Sequence, residues 1–303
     1  MNGAGVYLSG ESVTVRAAFR QLKRLAVVGV SPAAADGVAR TVLRARSLHG
    51  GSDYTRFVVL GIARTGSTLL VNLLNGHSQV MAFGELFRSP DAIGWDVRPF
   101  THYQKSGLLA LYRSDPVAFL EREVFRRWPR RYAAVGFKLF YYHAKEPPYS
   151  QLWDYLARDR SIRILHIKRR NILEQYLSLQ IANLTNIWST QSRPRCELPP
   201  IRLEAEACHK HFAWVRELER EAAEFFRAHQ VHNVYYEDLA AERRSQMRAV
   251  HGFLDIEDEA AEPTLVRQRN RPLSQSIANF DELRREFAET RWADFFHDQP
   301  ADI

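Results

Sequence analysis

A turn between an apolar run and a helical run is the feature that most constrains the fold. Residues Phe57–Leu60 form an uninterrupted apolar run with the length of one buried strand in a parallel sheet. Leucines then recur at helical spacing over Leu69–Leu74, and Asn75 with the following glycine marks the end of that helix. The chain therefore passes from strand to helix within Gly61–Thr68. Unpaired backbone N–H groups at the start of such a helix bind anions.

The turn has the glycine spacing of a nucleotide-binding P-loop, G-x-x-x-x-G-K-[ST], but it lacks the lysine. Gly61 and Gly66 occupy the two glycine positions, whereas Ser67 stands where the lysine would be. The P-loop lysine reaches the β- and γ-phosphates, so its absence disfavours ordinary hydrolysis of ATP or GTP. Arg64 supplies a cation inside the loop instead. Its planar guanidinium can hold a phosphate and a neighbouring leaving oxygen together.

Three ordered segments resemble the 5′-phosphosulfate-binding element of sulfotransferases. They are Arg64-Thr-Gly-Ser-Thr-Leu-Leu70, Leu73-Leu-Asn-Gly-His-Ser78 and Gly84-Glu-Leu-Phe87. The motifs most resemble those of the bacterial carbohydrate sulfotransferases of the nodulation-factor and trehalose type, which use an Arg-[Ser/Thr]-Gly-[Ser/Thr] loop. The resemblance implies an α/β fold with a P-loop-like central parallel sheet flanked by helices.

A second block, from Ile162 to Ser178, is similar to the other donor-binding element of that family. In the family a strand ends in an arginine, and a serine eight residues later joins it on the 3′-phosphate of the donor. Arg170 and Ser178 have this spacing. Later in the chain, Tyr236-Glu-Asp-Leu239 resembles a further sulfotransferase segment in the expected order. Several motifs in one order favour the family more strongly than any single motif.

The resemblance implies a donor and the residues that hold it. The donor is 3′-phosphoadenosine 5′-phosphosulfate (PAPS), and the transfer requires no metal. A late basic loop closes over the donor in sulfotransferases, so Arg269 or Arg271 in the segment 266–283 is expected to contribute. The donor-binding residues expected on this basis are Arg64, Thr65, Gly66, Ser67, Thr68, Arg170, Ser178 and Arg271.

Two residues are candidates for the general base. Glu85 follows a predicted strand, and His143 follows another, so both are expected near the carboxyl edge of the sheet. In cytosolic sulfotransferases the base is a histidine after a comparable strand, whereas in the bacterial carbohydrate enzymes it is a glutamate after the first helix. We favour Glu85 because the loop carries arginine in the carbohydrate pattern, and we expect Arg64 to stabilise the leaving group. Lys138 is interpreted as a structural cation.

The acceptor and two other functions stay open at this point. The resemblance favours a hydroxyl on a carbohydrate or glycolipid, while lipid-linked and small phenolic acceptors are alternatives. A nucleotide-dependent kinase or NTPase on the same architecture is a second hypothesis, against which the missing lysine counts. A non-catalytic anion-binding protein is the third, since the net charge is +7. Ordered polar residues at strand ends count against it.

The rest of the chain is expected to form one domain with an appendage. Residues 1–50 are interpreted as an N-terminal helical appendage or arm, and residues 51–303 as the sulfotransferase domain. The aperiodic segment 88–112 is predicted to be a substrate-facing loop. Further strands are predicted at 79–83, 134–140 and 162–167, and a strand with a turn at 232–239. Helices are predicted at 13–28, 32–46, 116–128, 172–185 and 201–230.

Composition limits the class of protein without choosing a function. Two cysteines give no disulfide framework, so a reducing, cytoplasmic location is expected. We expect no transmembrane segment, since the sequence has no apolar run of membrane length. The basic charge also suits nucleic acid, but the motifs predict a small-molecule or glycan partner instead, and homo-oligomerisation stays open. His209 and His211 lie two residues apart on a predicted helix, which argues against a metal site.

Overall fold

Five parallel strands form the centre of the fold, which is seen in a computed structural model that describes residues 31–188, 198–262 and 271–297. The strand order is β2-β3-β1-β4-β5, and every neighbouring pair is parallel. The strands are β1 (Thr55–Gly61), β2 (Val80–Glu85), β3 (Ala134–Phe140), β4 (Arg163–Lys168) and β5 (Val231–Tyr235). The predicted α/β architecture with a central parallel sheet is confirmed.

Helices cover both faces of this sheet. They are α1 (Pro32–Ser47), α2 (Ser67–Leu74), α3 (Ser106–Ser114), α4 (Pro116–Phe119), α5 (Gln151–Arg158), α6 (Ile172–Thr185), α7 (Ala205–Phe225), α8 (Tyr236–Ala241), α9 (Arg243–Leu254), α10 (Leu273–Ser276) and α11 (Phe280–Glu286). The described residues also contain a π-helical turn at Leu120–Val124 and a 3₁₀ turn at Ala293–Phe296. The helices predicted at 32–46 and 172–185 are confirmed, and the helix predicted at 13–28 lies outside the described residues.

The apolar run of the first strand is continuous because β1 is buried on both faces. Val58 and Leu60 belong to the core under one face, whereas Phe57 and Val59 belong to the core under the other face. None of the four side chains is exposed to solvent. Central strands of parallel sheets lose the alternation of polar and apolar residues for this reason. Because β1 is the central strand, its carboxyl end lies at the middle of the sheet edge, and the loop that leads to α2 begins there.

The prediction of a substrate-facing loop at 88–112 is wrong. Trp95 and Phe100 in this segment are 1% and 2% exposed, and both pack edge-on or tilted against Phe83 of β2. The indole of Trp95 donates a hydrogen bond to the carbonyl of Tyr103 at 2.8 Å. The segment forms part of the core through aromatic packing on an irregular backbone, and helix α3 begins within it. Irregular backbone has no period by which burial could be predicted.

Two predicted helices are shorter than expected. The segment 116–128 is α-helical only to Phe119 before the π-helical turn. The segment 201–230 begins its helix at Ala205, because Ile201 pairs with Ile277 through two backbone hydrogen bonds instead. In the second segment, this tertiary pairing of Ile201 overrides the apolar spacing that predicted a longer helix.

Helix α1 contacts the sheet-bearing part of the chain through polar pairs. Asp36 accepts a hydrogen bond from Arg98 at 2.7 Å, and Arg44 donates one to the hydroxyl of Tyr103 at 2.7 Å. Asp36 is buried, so its pairing with Arg98 fixes the position of the helix rather than only decorating its surface. The division into residues 1–50 and 51–303 stays a prediction.

Candidate active site

Three side chains fix the backbone of the loop between β1 and α2. Thr65 donates from its hydroxyl to the carbonyl of Ile62 at 2.7 Å, and Gln175 donates from its amide to the carbonyl of Ala63 at 2.6 Å. Arg169 donates to the next carbonyl along the loop at 3.3 Å. Because three successive carbonyls accept hydrogen bonds, the loop backbone is held in one conformation, as a pre-organised anion site requires.

The loop requires two residues in the left-handed region. Arg64 has a φ of 67° and Gly66 a φ of 84°. A Cβ at Gly66 would lie 2.5 Å from Cδ2 of Tyr236, so only glycine fits between this ring and the loop. Helix α2 then begins at Ser67, and no side chain caps its N-terminus. The backbone N–H groups of the predicted anion site therefore have no capping side chain as a competitor.

Arg64 and Ser178 lie together, although the sequence motifs assign them to different parts of the donor. The Nε of Arg64 donates to Oγ of Ser178 at 2.9 Å, and its Nη1 donates to the carbonyl of Trp188. Burial, followed by the positive charge of Arg169, lowers the pKa of Arg64. The guanidinium therefore spans from the loop to helix α6, in an environment that favours binding of an anion.

Glu85 is held beside the loop by a buried lysine. Nζ of Lys138 lies 2.8 Å from Oε1 of Glu85 and 3.1 Å from Oγ1 of Thr68. The Lys138 side chain is 4% exposed and the Glu85 side chain 17% exposed. The loop of residues 62–66, between β1 and α2, is called the anion loop after its predicted role. Because one ammonium bridges the first turn of α2 and the carboxylate, charge at this loop and the predicted base are electrostatically linked.

The second predicted base, His143, is close to Glu85 but differently arranged. Its Nε2 lies 3.9 Å from Oε2 of Glu85, and its Nδ1 accepts a hydrogen bond from the backbone N–H of Phe140. Burial is the main cause that lowers its pKa to about 4, against the opposing effect of Glu85. In the neutral ring, the occupied Nδ1 leaves the proton on Nε2, so the nitrogen that faces Glu85 is a donor and not a base.

Arg170 lies at the other side of the sheet edge. Its guanidinium donates to both carboxylate oxygens of Asp238, at 2.5 and 2.7 Å, and lies 4.2 Å from the ring centroid of Tyr235. The hydrogen bond from Arg170 lowers the pKa of Asp238. Ser178 is instead bound by Arg64, so the residues predicted to share the 3′-phosphate have different partners here. Their shared role stays a prediction.

Sequence reasoning missed several residues around the loop. Lys138 was interpreted as structural only, yet a lone lysine within an apolar strand is a signal that could have been used. Arg169, which is 7% exposed, binds the loop and packs over the ring of Tyr236 at 4.5 Å. No pattern singled it out from its neighbour Arg170. Arg271 is described and precedes Pro272, the N-cap residue of α10. Arg269 lies outside the described residues.

Comparison with known proteins identifies the family of this chain. A model of the "Sulfotransferase family" matches residues 56–260, which contain the loop, Glu85, Lys138, Arg170 and Ser178. The chain belongs to the sulfotransferase family, and its activity is sulfuryl transfer.

The chain is also similar to individual proteins. Nodulation protein H of Rhizobium tropici is 29% identical over 79% of this chain and 92% of its own length. Nodulation protein H of Rhizobium meliloti is 28% identical over 79% of this chain and 94% of its own. A sulfotransferase crystal structure from Alicyclobacillus acidocaldarius is a weaker match, with 16% identity and a TM-score of 0.44 over 82% of this chain and 97% of that one.

Neither a cluster of metal ligands nor a membrane-spanning helix is found among the described residues. Within residues 31–188, 198–262 and 271–297, no group of three or more histidine, cysteine or acidic side chains is arranged to hold a metal ion. In the same ranges no helix is both long and apolar enough to cross a membrane.

Proposed function

We propose that this protein transfers the sulfuryl group of PAPS to a hydroxyl of a carbohydrate acceptor, with Glu85 as the general base. Lys138 supports the proposal most directly, because its ammonium contacts both Thr68 at the anion loop and Glu85. A base beside the sulfuryl site can take a proton only from an oxygen that is already within reach of the sulfur. The carbohydrate acceptor is proposed from the similarity to the two nodulation proteins.

The reaction forms one oxygen–sulfur bond and breaks another. The acceptor oxygen attacks sulfur while its proton passes to Glu85, and the bond from sulfur to the bridging phosphate oxygen breaks. Adenosine 3′,5′-bisphosphate leaves with the bonding electrons. Arg64, with the N–H groups of Ser67 and Thr68, stabilises the negative charge that develops on the bridging oxygen. Lys138, whose ammonium lies between Thr68 and Glu85, donates a hydrogen bond to an oxygen of the transferred sulfuryl group.

The residues present suit the adenosine 3′-phosphate as well. Arg170 is half exposed and Asp238 is 36% exposed, so an incoming phosphate can compete with the carboxylate for the guanidinium. Tyr235 under the guanidinium keeps it in place while the partner changes. We further propose that Ser178 and Arg271 complete this part of the donor site. The reaction uses no metal in this scheme.

Calorimetric titration with adenosine 3′,5′-bisphosphate tests the donor, and transfer from ³⁵S-labelled PAPS to oligosaccharides tests the reaction. 5′-AMP and MgATP serve as ligand controls, because they lack the 3′-phosphate. We expect binding of the bisphosphate and little binding of 5′-AMP. Binding of MgATP alone, or label transfer that is absent with every acceptor, would contradict the proposal.

A further inference from the structure

Two large aromatic side chains near Glu85 stack on each other and are partly open to solvent. Tyr142 follows β3 and is 42% exposed, and Trp214 on α7 is 44% exposed. Their ring centroids lie 6.2 Å apart, and their planes differ by 18°. The chemistry proposed above uses neither side chain. Adjacent exposed rings of this size are typical of ligand contact, because apolar surface left in water is unfavourable.

Tyr142 lies on the acceptor side of the anion loop. Its ring meets the ring of His143 edge-on at 5.2 Å. Burial, followed by the negative charge of Glu85, raises the pKa of its phenol to about 12, against the opposing effect of the backbone of Ala63. Arg170, by contrast, follows β4 on the other side of β1. Tyr142 therefore lies beside the carboxylate rather than at the nucleotide end of the site, and Trp214 stacks on it.

The surface has the chemistry of a sugar-binding platform. A β-linked pyranose has a flat face of C–H groups that packs on aromatic rings through dispersion and weak C–H contacts. Trp214 also contacts the ring of His211 at 5.7 Å, and His211 hydrogen-bonds Gln175, so polar groups lie beside the rings. An apolar floor with polar groups at its rim suits a hydroxylated ring. A hydrocarbon chain suits an enclosed apolar groove, which two open rings do not provide.

We propose that Tyr142 and Trp214 form an acceptor subsite that stacks against one pyranose ring of the glycan. This inference rests on the proposed function, since it takes Glu85 as the base next to which the acceptor hydroxyl must lie. The subsite fixes the glycan by its flat face and leaves the hydroxyls at the ring edge free. It therefore sets which hydroxyl reaches Glu85, and it selects pyranose oligomers with an unobstructed face.

The test measures glycan affinity directly, so that it does not depend on turnover. Chitotetraose and cellotetraose are titrated into the full chain saturated with adenosine 3′,5′-bisphosphate. Trp214→Ala is expected to weaken binding of at least one of them by about tenfold. Trp214→Phe and Tyr142→Phe keep a flat ring and are expected to retain most of the affinity. An unchanged affinity for the bisphosphate shows that each variant is folded.

Phe225→Ala provides the matched control. Phe225 lies on the same helix, is 40% exposed and is about 16 Å further along the axis, so its loss should leave glycan affinity unchanged. Decanoate is titrated as a probe for a hydrocarbon ligand. The subsite is overturned if Trp214→Ala and the parent bind the glycans with equal affinity. It is also overturned if the parent binds decanoate but neither oligosaccharide, or binds none of the three probes. Failure of the proposed function has a different result, because the parent protein itself then shows no bisphosphate binding or no sulfuryl transfer.

Discussion

Glu85 and Lys138 face each other across β2 and β3 because the strand register shifts between Phe83 and Glu85. Phe83 pairs with Phe137, and Glu85 pairs with the next residue, Lys138, so Gly84 is the extra residue of a bulge. Such a bulge re-aims the side chain that follows it. The result is a 2.8 Å ion pair at the sheet edge, next to the anion loop.

Glu85→Gln is expected to lower kcat by at least about 100-fold, because the amide cannot accept the acceptor proton. Steady-state transfer from labelled PAPS measures the effect. Affinity for adenosine 3′,5′-bisphosphate should remain unchanged. His143→Asn, which keeps an acceptor for the N–H of Phe140, serves as the control and should retain most activity. The reverse outcome, with activity lost in the histidine variant only, would assign the base to His143.

Lys138→Met is expected to reduce kcat by about 100-fold, since it removes a preorganised positive charge beside the transferred group. Lys138→Arg keeps the charge with a different shape and should recover part of the activity. Kinetics of all three proteins at saturating PAPS make the comparison. If methionine lowers only thermal stability and leaves kcat unchanged, Lys138 is structural, as the sequence first indicated.

Arg170→Ala is expected to weaken binding of adenosine 3′,5′-bisphosphate by about 10- to 100-fold, which is the loss of one charge-assisted hydrogen-bonded contact. Binding of 5′-AMP should change little. Arg227→Ala is a matched control, because Arg227 is exposed and paired only with Glu224 at the end of α7 among the contacts described. If Arg170→Ala weakens the affinity for the bisphosphate and for 5′-AMP equally, a role in binding the 3′-phosphate is refuted.

Arg64→Ala should instead chiefly lower turnover.

Stability is expected to fall as pH decreases from about 6.5 to about 4. Burial lowers the pKa values of His143 and His211 to about 4, while the unfolded chain keeps ordinary values. Between these values the unfolded state binds more protons, so the free energy of unfolding rises with pH in that interval and is lost on acidification. Urea unfolding at several pH values measures the slope.

Replacing a contributing histidine should reduce that slope. His143→Asn is expected to reduce the change in the free energy of unfolding over this pH interval by on the order of 1–3 kcal/mol. The exposed His209→Asn is the control and should not change it. An identical slope in both variants would show that His143 titrates normally in the folded protein.

Gly66→Ala is expected to lower the free energy of unfolding by about 1–3 kcal/mol and to weaken bisphosphate binding, because its φ of 84° and its contact with Tyr236 both exclude a Cβ. Gly252→Ala is the control. A Cβ there meets nothing within 4 Å, and the position lies inside α9, so alanine should be neutral or stabilising. Chemical denaturation of both variants makes the comparison, and equal stability of the two would contradict the strained loop.

Much of the central fold could be predicted because its signals are local. The strand at 134–140 and the helix at 172–185 follow from apolar runs and spacing, and the structure has both at those bounds. The segment 88–112 could not be predicted, because aromatic packing buries it without any backbone period. At the site, Arg64 and Glu85 could be singled out from motifs, whereas Arg169 and Gln175 act through contacts with loop carbonyls that leave no sequence signature.

The sequence by itself determined the anion loop, the strand and helix on either side of it, and membership of a family with ordered polar residues at strand ends. Glycine positions, apolar periodicity and hydroxyl placement are local properties, so the chain order carries them. Only the tertiary structure decided that Lys138 joins Thr68 to Glu85, that Arg64 reaches Ser178, and that Tyr142 stacks on Trp214. These contacts join elements far apart in the chain, and they depend on strand order, register and a single bulge.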